Sequence, residues 1–282
     1  MHQTQYHRAN SVEEAVNMAQ GASDPRYLSG GMTLLPTMKQ RLAAPSDLID
    51  LRHIDAMQGV SEEGDMIVIG GATSHNDIAT NDIIQSKAPG LAYQASHIGD
   101  PMVRHMGTIG GSVANNDPAA CYPSAMIALN AVIRTNNREV AAEDFFTGLF
   151  DTVLDEGEIV TGVAFKAPEQ SGYGKFPNPA SRYAMAGVFV ARTADGVRVA
   201  VTGAGDDGVF RATALEEALN DDFSASALDG KTIDSTGLMG DIHASPEYRA
   251  ALIVAMAKRA VVLANGGDPD TKAATPAGTA AV

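Results

Sequence analysis

Hydrophobic and polar positions change period several times along the chain, and each change marks an element. In "SVEEAVNMAQG", Ser11 and Glu14 stand at capping-box spacing and Gly21 is placed to end the helix. "RYLSGG" follows as a short strand running into a turn. "MTLLPTMKQRLAAP" then brings Leu34, Leu35, Met38 and Leu42 to helical spacing, with Pro45 marking where the helix has ended. "DLIDL" and "DMIVIGGA" read as strands, the second buried and ending in glycine, and "SHNDIATNDII" continues as a helix or an irregular segment. "PSAMIALNAVIRTNN" carries an apolar face at Met126, Ile127, Leu129, Val132 and Ile133, which predicts a helix or a helix passing into a strand. "GEIVTGVAF" is another strand.

Residues 166–182, "KAPEQSGYGKFPNPASR", are dense in Pro, Gly and Ser, the composition of a linker or an ordered surface loop, and the domain boundary is placed there. Beyond it, "MAGVFVARTADGVRVAVTGAG" predicts a β-hairpin with "ADG" in the turn, followed by helices over "TALEEALN" and "SPEYRAALIVAMAKRAVVLAN". The tail "GGDPDTKAATPAGTAAV" has too little apolar content to pack and is expected to be disordered. The organisation expected is a first domain over 1–171, itself split near 55, a second over 172–266, and a tail over 267–282.

A length of 282 residues favours two domains over one. No stretch approaches the roughly 18 uninterrupted apolar residues of a membrane span. The first twenty residues lack a signal-like apolar segment, so the expected setting is the cytoplasm. A formal net charge of −14 opposes contact with phosphate backbones, which excludes nucleic acid as the expected partner. The single cysteine, Cys121, excludes an intrachain disulfide and equally an iron–sulfur cluster held by four thiolates of this chain.

The candidate chemistry lies in two glycine loops. A glycine pair between a strand and a helix lets the backbone turn tightly and lets N–H groups face outward with no Cβ in the way. Such groups at a helix N-terminus favour anions by roughly 0.3–1 kcal/mol per charge. "SGGMT", Ser29 to Thr33, and "TIGGS", Thr108 to Ser112, both fit, and two such loops together point to a diphosphate ligand rather than to simple turns. A third pair, Gly70/Gly71, is spaced evenly with Gly30/Gly31 and Gly110/Gly111, but the surrounding residues share too little for an internal repeat.

Other chemistries are excluded. No G-x-x-x-x-G-K-[ST] occurs, so a P-loop nucleotide hydrolase is not expected. A G-x-G-x-x-G at Gly203, Gly205 and Gly208 contains Asp206 and Asp207, which would repel a pyrophosphate, and reads as a hairpin exit. His53, His75, His97, His105 and His243 are scattered without metal-ligand spacing and read as ordinary surface or core histidines. No nucleophile elbow is present. Cys121 reads as a small buried hydrophobe.

Taken with their neighbours, the two loops resemble the FAD-binding medium subunit of the molybdenum hydroxylases, the carbon monoxide dehydrogenase and xanthine dehydrogenase family. "YLSGGMTLLPTMKQRLAAPSDLIDL" is similar to that family's first flavin loop and "VRHMGTIGGSVANNDPAACYPSAMIAL" to its second. "DEGEIVTGVAF", "YGKFPNPASRYAMAGV" and "DIHASPEYRAALIVAMAKRAV" fall in the family's order, so the resemblance covers nearly the whole chain except the tail. It implies an α+β fold: an FAD-binding domain of the vanillyl-alcohol oxidase/PCMH type made of two α+β subdomains, then a smaller α+β domain with a three-stranded antiparallel sheet.

Carried over by position, the resemblance implies that Ser29, Gly30, Gly31, Met32 and Thr33 wrap the FAD pyrophosphate from one side. Thr108, Ile109, Gly110, Gly111 and Ser112 would wrap it from the other. Ile159 or Val160 would border the isoalloxazine through backbone contacts, and Lys175 and Tyr183 would approach the flavin. For Tyr183 the alternative is an aromatic packed at the domain junction. Two departures stand out. Cys121 occupies the position nine residues after the second loop where the family commonly has a ribose-binding aspartate, and Asp117 either substitutes for it or forms the turn in "NNDP". His105 stands where asparagine is frequent.

The resemblance further implies electron transfer through FAD, from a 2Fe-2S partner subunit to an external acceptor, beside a molybdenum-cofactor subunit in a dimer of heterotrimers. No catalytic acid or base and no metal ligand is then expected of this chain. The alternatives are a self-sufficient flavin-dependent oxidoreductase and a partner-binding scaffold that has lost FAD.

Overall fold

The computed structural model describes residues 1–268, so the tail expected to be disordered lies outside the described residues from 269 onward. The chain opens with β1 (Gln5–Arg8), α1 (Val12–Gln20), β2 (Pro25–Leu28), α2 (Leu34–Lys39) and β3 (Asp47–Asp50). The strands form a parallel sheet in the order β1-β3-β2, since each is reached through a helical crossover. At the start of α1, Ser11 Oγ accepts the Glu14 N–H at 3.1 Å and the Glu14 carboxylate accepts the Asn10 N–H at 2.8 Å. Those bonds satisfy N–H groups that a helix start leaves free.

A second unit follows: β4 (Val60–Glu63), β5 (Met66–Gly70), α3 (His75–Thr80), α4 (Asp82–Lys87), α5 (Pro89–Ser96), α6 (Pro101–Met106), α7 (Ile109–Asn115) and α8 (Tyr122–Ala128). It continues through β6 (Val132–Thr135), β7 (Glu139–Ala141), α9 (Ala142–Phe145), a small hairpin of β8 (Phe146–Gly148) and β9 (Asp151–Thr152), and β10 (Val160–Lys166). The main sheet is antiparallel in the order β4-β5-β10-β6-β7. "SHNDIATNDII" resolves into two helices because Ser74 and then Asn81 each cap a new start. "PSAMIALNAVIRTNN" is a helix passing into a strand, with Asn130 at φ +50° between them.

The third unit contains β11 (Gln170–Pro177), β12 (Ala184–Thr193), β13 (Gly196–Gly205), β14 (Gly208–Arg211), α10 (Thr213–Asp221) and α11 (Pro246–Ala264). Its antiparallel sheet has four strands, in the order β11-β12-β13-β14, rather than the expected three. The turn Asp206–Asp207, with Gly208 at φ +102°, sends the chain back as β14, so the glycine-rich 203–208 segment is the end of one strand and the start of the next. On β12 and β13, Val188, Val190, Val199 and Val201 pack with α10 and α11, while Phe189, Ala191 and Ala200 join the core of the second unit. Both faces are buried, which is why these strands read as apolar runs with no alternation. Each buried valine or phenylalanine contributes about 1.5–3 kcal/mol.

The composition-based linker is corrected here. Much of 166–182 is β11, an ordered strand whose small residues admit a helix. A Cβ on Gly172 would stand 1.9 Å from Ala260 O, and one on Gly174 would stand 2.2 Å from Met256 O, so α11 lies directly on this strand. Glycine here serves packing, not flexibility. Among the described residues no helix is long and apolar enough to cross a membrane. Gly172→Ala is therefore expected to lower stability by about 1–3 kcal/mol or more, seen as a fall in the urea midpoint at unchanged slope; an unchanged midpoint would contradict the contact.

Candidate functional site

The two glycine loops meet although 79 positions separate them: Ser29 Oγ and Thr108 Oγ1 lie 2.8 Å apart. One loop leaves the parallel sheet after β2 and the other enters α7 of the second unit, so the seam between the two units is the place where they touch. Thr108 also caps α7 through the Gly111 N–H at 3.3 Å. A cavity of about 650 Å³ opens along this seam. It is within the range of volumes that hold cofactors.

All but one of the residues expected at the site border this cavity. Ser29, Gly30, Gly31, Met32 and Thr33 form one wall, and Thr108, Gly110, Gly111 and Ser112 another. Asp117, Cys121, Ile159, Val160, Lys175 and Tyr183 complete it. Ile109 does not border it: its side chain is fully buried in the core of the second unit.

The glycines act differently from the expectation. A Cβ on Gly30 would stand 2.2 Å from Met106 O, and one on Gly110 would stand 2.6 Å from Gly71 O. These glycines let protein backbone approach protein backbone. Gly31 has φ +70°, a conformation costly to other residues. Gly111 is the least enclosed of the four: an added Cβ would meet no backbone, but it would press on Thr108 Oγ1 at 3.0 Å and stand 4.0 Å from Ser29 Cβ. The three glycine pairs, though no sequence repeat, also have a common spatial logic, because Gly71 and Gly110 are in direct contact and Gly30 packs on Met106 and Gly107.

The backbone donors divide in the same way. In the second loop, Ile109 N–H donates to Thr73 O at 3.1 Å, Gly110 N–H to Gly71 O at 2.9 Å and Ser112 N–H to Thr108 O at 3.0 Å. That loop does not present the row of free N–H groups expected of it. In the first loop, the N–H groups of Gly30, Gly31, Met32 and Thr33 donate to no protein acceptor among the described residues. The backbone donors left without a protein acceptor among the described residues are thus on the first loop, while the second offers side-chain hydroxyls.

Ile159 shows a similar correction. Its N–H donates to Asn136 Oδ1 at 2.7 Å and its carbonyl accepts from Asn136 N–H at 3.1 Å, so its backbone is already engaged. The neighbouring Glu158 is buried, and burial opposes its charge. Hydrogen bonds from Arg138 and Thr135 outweigh that and hold its carboxyl below the usual range. This pairing anchors the segment that brings Ile159 and Val160 to the cavity.

At the far end, Lys175 Nζ donates to His97 O at 3.0 Å and lies 3.5 Å from Cys121 Sγ. Cys121 is buried, as the sequence suggested, yet it also borders the cavity. Asp117 Oδ1 accepts the Ala119 N–H at 2.8 Å, so it forms the turn while bordering the cavity, and burial pushes its carboxyl up. Tyr183 is half exposed at the cavity mouth rather than packed in a junction; partial burial, then the nearby Asp117 and Cys121, push its hydroxyl up.

His75 was missed by sequence reasoning. It borders the cavity, is 5% exposed, and its Nδ1 has no hydrogen-bond partner among the described residues. Burial, assisted by the positive charge of Arg104, lowers its pKa to about 4. Only the period-breaking "GATSHN" after a strand could have drawn attention to it. Among the described residues no group of His, Cys, Asp and Glu is arranged to hold a metal ion.

Comparison with known proteins decides the family. The family described as the FAD binding domain in molybdopterin dehydrogenase matches residues 2–167. The chain belongs to it. The carbon monoxide dehydrogenase medium chain of Hydrogenophaga pseudoflava is 34% identical over 273 residues, covering 91% of this chain and 95% of that one. The nicotine 6-hydroxylase medium subunit of Paenarthrobacter nicotinovorans is 34% identical over 266 residues, covering 89% and 94%. The solved structure of reconstituted CO dehydrogenase from Oligotropha carboxidovorans matches with a TM-score of 0.84 at 31% identity, covering 94% of this chain and 98% of that one. The cofactor of this flavin-binding family is FAD. The backbone donors of the first loop, which have no protein acceptor among the described residues, fit such a ligand.

Two expectations follow from this geometry. Gly30→Ala must displace the Met106 backbone and is expected to lower the thermal midpoint of FAD-free protein strongly, whereas Gly111→Ala meets only the Thr108 hydroxyl, lowers that midpoint less and lowers FAD retention. Thermal melts and flavin content of both variants check this; equal melts would contradict it. The second concerns acid. His75 in the native state takes its proton near pH 4 rather than near 6.5, so the unfolded chain binds that proton first. Its contribution makes stability fall as pH drops from about 6.5 to about 4 and level off below, by at most roughly 3 kcal/mol. His75→Asn, which cannot titrate, is expected to lose that part of the acid sensitivity in denaturation curves taken across this range.

Proposed function

We propose that this chain is the FAD-binding medium subunit of a molybdenum hydroxylase, passing electrons from a 2Fe-2S partner subunit to an external acceptor. The supporting observation is the cavity at the seam, bordered by two loops that carry the family's flavin motifs in a chain that matches medium subunits over almost its whole length. FAD supplies the electron-transfer chemistry when bound. The chain's own residues bind and orient it. N–H groups from Gly30 to Thr33 hold the pyrophosphate, and the hydroxyls of Ser29, Thr108 and Ser112 add to the grip. Asp117, with Cys121 replacing the family's common aspartate, borders the adenosine side, and Ile159, Val160, Lys175 and Tyr183 border the flavin side.

The same reading places the remaining centres outside this chain. One cysteine cannot supply the thiolates of an iron–sulfur cluster. The partners are then a 2Fe-2S small subunit and a molybdenum-cofactor large subunit, assembled as a dimer of heterotrimers in the cytoplasm. The chain purified alone is expected to be yellow, with one FAD and neither iron nor molybdenum, while the complex from its native host carries all three. Flavin and metal analysis of both preparations checks this. Iron in the chain alone, or complete turnover by it, would favour a self-sufficient flavin oxidoreductase; no flavin in either preparation would favour a scaffold.

A further inference from the structure

The charge along the cavity wall differs from that of the chain as a whole, which carries a formal net charge of −14. Most charged residues bordering the cavity are neutralised. Glu158 is paired with Arg138 at 2.9 Å and Arg26 with Asp24 at 2.9 Å. Asp117 makes no ion pair among the described residues, and burial opposes its charge. Arg182 is exposed, so solvent screens it.

Lys175 is different. It lies on β11 opposite Gly187 of β12, in a strand seated against α11 at Gly172 and Gly174, so its place at the wall is fixed by the sheet. The side chain is half-buried, and its Nζ donates to His97 O at 3.0 Å and to Cys121 Sγ at 3.5 Å. No carboxylate lies within ion-pair distance of Nζ among the described residues. A carbonyl and a thiol orient an ammonium without cancelling its charge, and of its three donors one is left over. Residue 121 is the N-cap of α8, a position that suits aspartate, so the backbone there would accept a carboxylate where the chain has a thiol.

Reduction of a flavin brings two electrons and one proton into the isoalloxazine and leaves it with one more negative charge. A fixed positive charge beside the ring stabilises that product more than the oxidised ring, and does so more strongly in a partly buried site than in water. We propose that Cys121 is a positioning residue for the flavin chemistry: by holding Lys175 with a thiol instead of a carboxylate, it keeps an uncompensated ammonium on the flavin side of the cavity and raises the reduction potential of the bound FAD. The electrons come from the 2Fe-2S partner, and a higher flavin potential favours their arrival. This rests on the reading of the cavity as the FAD site with Lys175 on its flavin side.

The test uses the complex from its native host, reduced stepwise with dithionite beside a dye of known potential, and reads the flavin midpoint. Lys175→Met is expected to lower that midpoint by about 30 mV or more, a tenfold or larger shift of the two-electron equilibrium. Cys121→Asp, which gives the ammonium a counter-charge, is expected to move it in the same direction, while Cys121→Ser, which adds no charge, stays within about twofold of wild type in that equilibrium. A wild-type midpoint in Lys175→Met or in Cys121→Asp would overturn the proposal. Titration of the flavin-stripped complex with FAD and with ADP gives the ammonium's place: equal weakening of both ligands in Lys175→Met, at an unchanged midpoint, would put it on the pyrophosphate instead. A wild-type complex without flavin would overturn the reading of the cavity, and this proposal with it.

Discussion

The contact between the Ser29 and Thr108 hydroxyls, with Gly30 laid against the backbone of Met106 and Gly107, is the constraint on which the site depends. It joins a loop of the parallel sheet to a loop of the second unit, and both loops border the cavity. Neither loop forms a binding surface alone. The first contributes backbone donors with no protein acceptor among the described residues, while the second spends most of its donors on Thr73, Gly71 and its own first turn. A rigid wall and a donor wall are thereby set face to face, a division suited to holding an anion without rearrangement.

Small residues recur wherever two backbones must come close. Gly110 meets Gly71, Gly71 itself lies against Val160 O, and Gly70 against Met57 O, so glycines stack the loops on the strands behind them. The same device seats α11 on β11 through Gly172 and Gly174. The third unit is attached through its own sheet, whose Tyr173, Phe189, Ala191 and Ala200 complete the core of the second unit. That attachment brings Lys175 and Tyr183 to the cavity from beyond the second unit. Buried charge is used sparingly around this frame: Glu158 is compensated by Arg138 and Thr135, and His75 is kept neutral.

Much of this was legible in the chain. Helix caps at Ser11, the apolar strand before Gly70, the hairpin centred on Ala194–Asp195 and the long helix over 246–264 follow from local periodicity and turn chemistry. The flavin-loop motifs identified the walls of the cavity because glycine loops next to strands and helices leave a local signature. The fourth strand of the last sheet was not read because "GVFR" is short, begins with Gly208 and follows Asp206 and Asp207, which looks like the end of a hairpin. The strand over 170–177 was read as a linker because composition cannot distinguish a glycine that adds freedom from one that admits a helix.

What the sequence by itself determined was the family, the cofactor class and the stretches that line the site, since these depend on residue types in a fixed order along the chain. The tertiary structure decided what each residue does there. Whether an N–H faces a cavity or a neighbouring carbonyl, and whether a glycine makes room for a ligand or for Met106, depends on partners brought together from distant positions. His75 shows this most plainly. Little near it in the chain sets it apart from the other histidines, and only the packing of Gly107 and Tyr122 around it produces a buried imidazole whose Nδ1 has no partner among the described residues.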